Sequence, residues 1–279
     1  IPDSYSAYGN IQISIAAPGV LTNDFGLPAP SVTAHSPTSA NGGNVTVQSD
    51  GSFTYNPPPG FKGTDSFSYT ISNGSETDTA TVSIWVSNMV WFVNAYAASG
   101  GDGRLTTPFN CLGGTGCLRD SLTSNEDIIY FYAGSYPVQG TAVGLILKDG
   151  QKVYGQTVDL AGLLPNPPTG SLPYPSTGSQ PTLSHSSNDL IQLASNNTLQ
   201  GLRLEISANQ KAALKATGNM GTSTITDVQV APSGNNYGVQ LVNLSGTFNF
   251  NQGSINAASS GPAVNIHGNG NGTIRFDTQ

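Results

Sequence analysis

The sequence predicts an all-β protein of two domains, and three observations support this prediction. First, 34 Gly and 18 Pro in 279 residues disfavour long helices, because these two residue types are the poorest helix formers. Second, residues 1–87 contain short runs in which apolar and polar residues alternate, as in a strand with one buried face. Third, residues 190–279 repeat an apolar pattern every 23–25 residues, which is typical of stacked coils.

The charge balance excludes one class of partner. Nine Lys and Arg against 16 Asp and Glu give a net charge of -7, whereas affinity for nucleic acid comes mostly from neutralising phosphates with basic side chains. No apolar run approaches the roughly 20 residues that a membrane-spanning helix needs. We therefore expect no nucleic-acid partner and no membrane span in this sequence.

The first domain, residues 1–87, is predicted to be a β-sandwich. Its alternating runs are short and turn residues separate them, which is typical of strands in a sandwich. Asp50-Gly51 lies between two runs and predicts a hairpin, because Gly accepts the positive φ of a tight turn. The apolar positions are Ile11, Ile13, Ile15, Val45, Val47, Phe53, Tyr55, Phe67, Tyr69, Ile71, Val82, Ile84 and Val86.

Four motifs follow one another in this domain: residues 17–24 (APGVLTND), 49–55 (SDGSFTY), 61–70 (FKGTDSFSYT) and 79–84 (TATVSI). In order and spacing they resemble the cadherin-like and bacterial Ig-like tandem repeats of large secreted adhesins. The resemblance implies an Ig-like/cadherin-like β-sandwich over residues 1–87.

Members of that family often carry an acid-rich calcium loop after the Asn-Asp pair. This chain has only Asp24 there, and calcium needs about six to eight oxygen ligands. We expect no cofactor, with Asp24 as the single Ca²⁺ candidate. The favoured interpretation is that Asp24 and Asp65 stabilise turns through side-chain hydrogen bonds.

The second domain, residues 88–279, is predicted to be a β-solenoid. Ile191, Leu214, Val239 and Val264 each open an apolar pair and are separated by 23, 25 and 25 residues. A second apolar pair follows each of them, and no helical pattern lies between, so successive coils are expected to stack and bury their inward residues. The second pairs are Leu202/Leu204, Val228/Val230, Phe248/Phe250 and Ile274/Phe276.

Residues 91–93 (WFV), 101–103 (GDG), 147–156 (LKDGQKVYGQ) and 197–202 (NTLQGL) mark a second resemblance. They are similar to the right-handed parallel β-helix (pectin-lyase-like) segments that accompany Ig-like repeats in giant bacterial surface proteins. Residues 161–188 hold six Pro and are expected to form a loop insertion that leaves the solenoid wall. The period still runs at residues 274–277, so we expect the natural protein to continue with further coils.

Enzymes on that fold need converging acids and bases, and one such patch is predicted here. If the second apolar pairs face inward, Arg203, Asp227, Asn249 and Arg275 form one outward column, and Glu205, Gln229, Asn251 and Asp277 form its neighbour. The catalytic candidates, if the chain is an enzyme, are Glu205, Asp227, Asp277, Arg203 and Arg275. An ordinary arginine–acid ladder on a solvated wall explains the same pattern, so we expect no catalysis.

Two further features bear on function. Cys111 and Cys117 are separated by five residues, three of them Gly, which favours a disulfide over free thiols, and two cysteines are too few for a structural zinc site. Tyr174 lies between two prolines in the loop insertion and is the candidate ligand-contacting aromatic.

Together these features predict a non-catalytic structural or adhesive segment of a large bacterial cell-surface or secreted protein. We expect an extracellular monomer whose partner is a host or environmental surface ligand, glycans included. The alternatives are a polysaccharide lyase or hydrolase on the same fold, or a carbohydrate-binding module without turnover.

Overall fold

The structure, a computed structural model, describes residues 1–165, 167–168, 172–256 and 261–277. It confirms the all-β prediction, with 49% of the residues in strands and 3% in helices. One sheet of 16 strands contains parallel and antiparallel pairs, and a second sheet of three strands is antiparallel.

The chain divides into two compact units, and their boundaries differ from the predicted ones. The first unit contains Ile1–Val90, Arg104–Thr106 and Leu164–Leu172, and the second contains the rest. The predicted boundary after residue 87 falls inside a 17-residue strand, Thr77–Val93. Residues 89–93 of this strand are all buried, so the strand continues past the predicted boundary.

The first unit is a two-sheet sandwich. One sheet has the strand order β3-β6-β7-β1, in which β1 and β7 pair in parallel and the other pairs are antiparallel. The other sheet has the order β2-β5-β4. A 3₁₀ turn lies at Gly19–Leu21. The strands are β1 (Asp3–Gly9), β2 (Ile13–Ile15), β3 (Ser31–His35), β4 (Asn44–Val47), β5 (Phe53–Asn56), β6 (Gly63–Ser72) and β7 (Thr77–Val93).

The core of this sandwich comes from the predicted alternation. Side chains from both sheets form a single buried cluster, in which the rings of Tyr5, Phe53 and Phe67 meet edge to face. The predicted Asp50-Gly51 hairpin is confirmed, since β4 and β5 pair antiparallel on either side of it. Gly51 has φ +84°, and a Cβ there would lie 2.0 Å from the carbonyl oxygen of Pro18, so only glycine fits.

Among the described residues, the second unit contains a short helix and twelve strands, not counting the end of β7. Every named pairing between these strands is parallel. The elements are β8 (Ile128–Phe131), β9 (Ser135–Pro137), β10 (Leu145–Ile146), β11 (Lys152–Gly155), α1 (Leu160–Leu163), β12 (Thr182–His185), β13 (Ile191–Leu193), β14 (Thr198–Ile206), β15 (Ala212–Pro232), β16 (Tyr237–Asn251), β17 (Ser254–Ile255), β18 (Val264–His267) and β19 (Thr273–Asp277).

These pairings form three parallel ladders. The first ladder joins β10, β13, β15, β16 and β18, and it aligns Ile191, Leu214, Val239 and Val264 as predicted. The second ladder joins β8, β11, β14, β15, β16 and β19. The third ladder joins β9, β12, β14, β15 and β17. Since β15 contributes to all three, one long strand passes through three successive ladder positions.

A column of buried polar side chains precedes the second ladder. Asp127, Gln151, Asn197 and Ser223 are each at most 1% exposed and occupy the position just before successive aligned strands. The first three accept a hydrogen bond from the backbone N–H three residues earlier. Ser223 instead donates to the carbonyl of Met220. This polar column, as we call it, satisfies backbone groups that the bend between ladders leaves unpaired.

Two predictions for the second unit were wrong. Residues 161–188 are not one loop, because α1 begins before them and β12 lies within them and pairs with β9 and β14; Leu183 of β12 is fully buried. Residues 166 and 169–171 of that predicted loop lie outside the described residues.

The predicted alignment of the second apolar pairs was also wrong. Leu202 aligns with Val228 in the third ladder, whereas Phe248 aligns with Ile274 in the second. The cause is a one-residue corner between these ladders, at Gly201, Asp227 and Gln252, each with positive φ. The strand segments before and after the corner both carry alternating apolar residues, so the sequence pattern does not show which ladder a segment belongs to.

Candidate functional site

The structure separates the five charged residues that the sequence grouped as catalytic candidates. Arg203 and Glu205 lie in the third ladder, where their in-register neighbours are Gln229 and Ala231. Arg275 and Asp277 lie in the second ladder, beside Asn249 and Asn251. Asp227 occupies the corner between the two ladders, with φ 51°. The two predicted outward columns are therefore not formed.

Arg203 and Glu205 do form a local pair. Nε of Arg203 donates to Oε1 of Glu205 at 2.7 Å, and its Nη1 donates to Oε1 of Gln229 at 3.2 Å. The two charged side chains are 40% and 42% exposed, so solvent screens their attraction and an ion pair of this kind contributes about 0–1 kcal/mol. The pair fixes the orientation of the Glu205 carboxylate on the ladder surface.

Glu205 borders a polar groove of about 450 Å³, which we call the ladder groove. Hydroxyl and amide groups from neighbouring strands line it together with the Glu205 carboxylate, and Ile206, Ala231 and Pro232 provide an apolar side. Such a surface offers hydrogen-bond donors and acceptors next to a small apolar contact area. The polar lining residues are Ser184, Glu205, Ser207, Ser233 and Asn256.

In the first unit, Asp24 belongs to a compact oxygen cluster. Its Oδ2 lies 2.9 Å from the Tyr69 hydroxyl, and Oδ2 of Asp3 and the carbonyl of Val20 lie 2.8 and 2.9 Å from the same hydroxyl. A tyrosine hydroxyl has one proton to donate, so three acceptors compete for it. Burial raises the pKa of Asp3, and the nearby charge of Asp24 raises it further, while the Tyr69 hydrogen bond opposes both.

The oxygen cluster has few of the ligands that calcium requires. Among the described residues, no group of three or more His, Cys, Asp or Glu side chains could hold a metal ion. Oδ1 of Asp24 also accepts a hydrogen bond from the amino group of Ile1 at 2.7 Å. Both carboxylate oxygens of Asp24 therefore have protein partners, but these are Ile1 and Tyr69, which lie outside the turn that Asp24 was expected to stabilise.

Asp65 forms a second cluster in the same unit. Its Oδ2 accepts hydrogen bonds from Ser39 at 2.5 Å and Tyr55 at 2.7 Å, and its Oδ1 accepts from the backbone N–H groups of Asn41 and Ser66. Burial by itself raises the pKa of Asp65, but these donors outweigh it and the net pKa is lowered. This ionised carboxylate ties the loop after β3 to β5 and β6.

The remaining candidates lie apart from these clusters. Tyr174 is 87% exposed, and its carbonyl accepts a hydrogen bond from Gln156 at 3.5 Å. Cys111 and Cys117 are joined by a disulfide with an S–S distance of 2.04 Å. Burial raises the pKa of Tyr132 to about 12, so this phenol is neutral at physiological pH.

Sequence reasoning missed the ladder groove, and at Asp65 it expected turn hydrogen bonds but not the hydroxyl partners Ser39 and Tyr55. The groove brings together residues as distant in the chain as Ser184 and Asn256, and no local motif marks it. The burial of Asp65 could have been predicted from the sequence. In the two-residue period of β6, Thr64 and Ser66 point outward, so Asp65 lies on the same inward face as Phe67.

Comparison with known families identifies only the first part of the chain. Residues 1–88 match the model of the bacterial cadherin-like domain. No curated protein and no solved structure matches the chain. No helix among the described residues is long and apolar enough to cross a membrane. Over residues 1–88 the chain is thus similar to bacterial cadherin-like domains, and this similarity suggests an adhesive or structural surface module.

Proposed function

We propose that this chain is a non-catalytic adhesive or structural segment of a bacterial cell-surface or secreted protein. The cadherin-like domain acts as a spacer module, and the second unit acts as a stalk or ligand-presenting surface outside the cell. The observation that carries the proposal is the tandem order of a bacterial cadherin-like domain at residues 1–88 and a unit built from three parallel ladders.

The location can be tested with antibodies raised against the 279-residue chain. Intact cells of the bacterium that produces it are expected to be labelled, and brief protease treatment of those cells is expected to remove the label. Labelling that requires permeabilised cells would contradict the proposal, and an antibody against a cytoplasmic protein serves as the control for cell integrity.

We infer further that the second unit is a right-handed parallel β-helix. Its ladders pair successive segments in parallel, and crossover connections between parallel strands are right-handed in nearly all known cases. Cross-linking tests the stacking. Gln240→Cys with Asn265→Cys joins in-register neighbours, which lie about 4.8 Å apart and within the range of a disulfide.

The matched control is Gln192→Cys with Gln240→Cys, two ladder positions apart, about 9.6 Å. We expect oxidation to join the first pair and not the second. Equal cross-linking of both pairs, or of neither, would contradict the stacking, and an experimental structure would decide the hand.

A second candidate function is glycan recognition or cleavage in the ladder groove, and the Glu205 carboxylate beside four other polar side chains favours it. Purified chain would be incubated with neutral and acidic polysaccharides, with and without Ca²⁺, while released sugars are measured. Binding without product is expected for an adhesive groove, and Glu205→Gln should weaken it, whereas Asp277→Asn should not. Product release that Glu205→Gln abolishes would instead identify a lyase or hydrolase.

A further inference from the structure

One face of the first unit carries an exposed indole among hydroxyl groups. Trp85 lies on β7 and is 56% exposed. Its in-register neighbours are Ser6 on β1 and Thr64 on β6. The next outward position along the same strands aligns Ser4, Ser83 and Ser66. We call these six residues the Trp85 face.

The fold holds the Trp85 face outward. Ile84 and Val86 flank Trp85 in β7 and are fully buried, so the two-residue period of the strand places the indole on the opposite side. A slip of one residue that buried Trp85 would expose this core. The face therefore lies on three hydrogen-bonded strands, and its side chains are presented without rearrangement.

The Trp85 face has no ionisable side chain, although the unit around it is acidic. With Arg104 included, the first unit contains six Asp and Glu and two basic residues, a net charge of 2 − 6 = -4. Lys62 lies two residues before Thr64 in the sequence. A polyanion would be repelled by this unit, whereas an uncharged ligand meets no electrostatic barrier.

We propose that the Trp85 face binds an uncharged polysaccharide chain. A sugar ring has apolar C–H surfaces and hydroxyl groups around its edge. The flat indole provides a large, rigid apolar surface for the ring, and the serine and threonine hydroxyls act as donors or acceptors for the sugar hydroxyls. Among the described residues, the hydroxyls of Ser4, Ser6, Ser66 and Ser83 have no side-chain partner, so binding need not break existing bonds.

Successive outward positions on these strands are about 7 Å apart. Trp85 and the Ser83 row can therefore contact neighbouring parts of one extended chain. This inference deepens the adhesive function proposed above, because it assigns that function a ligand class and a surface.

The test uses the full 279-residue chain in affinity electrophoresis through neutral glucans, mannans and xylans, with alginate and polygalacturonate as acidic comparisons. We expect retardation by at least one neutral polysaccharide and by neither acidic one. Trp85→Ala should weaken binding at least tenfold, and Trp85→Phe should weaken it less because a ring remains. Tyr96→Ala is the matched control, since this aromatic residue is 83% exposed in the second unit.

Fluorescence supplies an independent readout. Trp85 is exposed, whereas Trp91 is buried against Phe109 and donates a hydrogen bond to Asp127. Bound polysaccharide should therefore shift the emission of the Trp85 component to shorter wavelength, and this shift should be absent in Trp85→Phe. Unchanged Trp91 emission in Trp85→Ala shows that the variant is folded.

Four results would overturn the proposal: no retardation by any neutral polysaccharide, equal retardation by the acidic ones, binding unchanged in Trp85→Ala, or a self-association that Trp85→Ala abolishes. Binding lost only in Glu205→Gln would place the ligand in the ladder groove, leaving the adhesive function intact while removing the Trp85 face. Conversely, the chain could bind polysaccharide through Trp85 and yet be absent from the cell surface. That result would support the Trp85 face as a binding site and contradict the adhesive function.

Discussion

The first and second units both bury polar side chains, but they bury different chemistry. The first unit concentrates ionisable groups, with Asp65 held by hydroxyl and backbone donors and Asp3 and Asp24 sharing the hydroxyl of Tyr69. The second unit also buries Asp127, His185 and Asp189, but its polar column is mostly neutral, because Gln151, Asn197 and Ser223 cannot ionise. The comparison teaches that the stability of the first unit should respond to pH and that the polar column should respond to packing and hydrogen bonding.

The largest effect is expected at Asn197. Its Oδ1 accepts from Ala194 N–H, and its Nδ2 donates to the carbonyls of Lys148 and Gln151. Asn197→Ala leaves the Ala194 N–H unpaired, and the two carbonyls keep only the N–H groups of Gln151 and Thr198. An unpaired buried group costs about 1–3 kcal/mol, so we expect a loss of about 3 kcal/mol in unfolding free energy.

Hydrogen exchange measured on peptides of β14 and β15 would show where this loss occurs. If the polar column stabilises these strands, their exchange should be faster in Asn197→Ala than in the wild type. The matched control is Gln192→Ala, a half-buried position in the first ladder, which should change stability by less than about 0.5 kcal/mol. Equal effects of the two substitutions would contradict the role of the column.

The second prediction concerns Asp65, whose pKa is lowered in the folded state. A carboxyl group of this kind stabilises the fold above its unfolded pKa, and the contribution disappears as pH falls through the folded pKa. Asp65→Asn should therefore destabilise the first unit by about 2 kcal/mol at pH 7, and by progressively less in acid.

Denaturant titrations of both proteins from pH 7 to pH 2 measure this difference. A gap between wild type and Asp65→Asn that stays constant over that range would show that the charge of Asp65 contributes nothing. Glu76→Gln serves as a control, because Glu76 is exposed in the turn between β6 and β7.

The disulfide should have an effect of similar size. It closes a loop of only seven residues, from Cys111 to Cys117, and the loop-entropy relation gives about 2 kcal/mol for that length. Replacing both cysteines with serine should lower the unfolding free energy by that amount, as measured by denaturant titration. A mild reductant should reproduce the effect in the wild type and leave the double variant unchanged.

The smallest effect is expected at Asp3, with the opposite sign. Because burial and Asp24 raise the pKa of Asp3, this residue favours the folded state in its protonated form, and stability should fall as pH rises through the raised pKa. Asp3→Asn removes the charge and should raise stability at pH 7 by up to about 1 kcal/mol.

A Ca²⁺ titration of the same two proteins tests the calcium candidate. Without a metal site, Ca²⁺ leaves the melting temperature of the wild type unchanged. A rise that Asp3→Asn abolishes would show that the Asp3–Asp24 cluster binds the ion.

Much of the fold could be predicted because apolar residues recur in the sequence once per coil. Ile191, Leu214, Val239 and Val264 repeat at nearly constant spacing, and the structure aligns them. Leu145 belongs to the same ladder but precedes Ile191 by 46 residues, so an insertion hides it. The misaligned second pairs arose from a corner of one residue, which alternation alone does not reveal.

The candidate sites were less predictable, for a physical reason. The ladder groove depends on three-dimensional convergence, and the polar column uses four different residue types at equivalent positions, so neither leaves a repeated motif. Trp85 is different, because Thr79, Thr81 and Ser83 share its position in the two-residue period of β7. The outward direction of its indole could have been read from the sequence.

Parallel pairing has a consequence for a chain that meets proteases. Residues 173–179 are partly or fully exposed, while the strands on either side of them are held by different neighbours: β11 pairs with β8 and β14, and β12 pairs with β9 and β14. A cut there would break the covalent chain without releasing a fragment, because β11 of the N-terminal piece stays paired with β14 of the C-terminal piece, and β9 stays paired with β12. Nicked protein should therefore elute as one species in size-exclusion chromatography and separate into two bands only after denaturation. A cut in that segment would then not release a bound ligand together with a fragment.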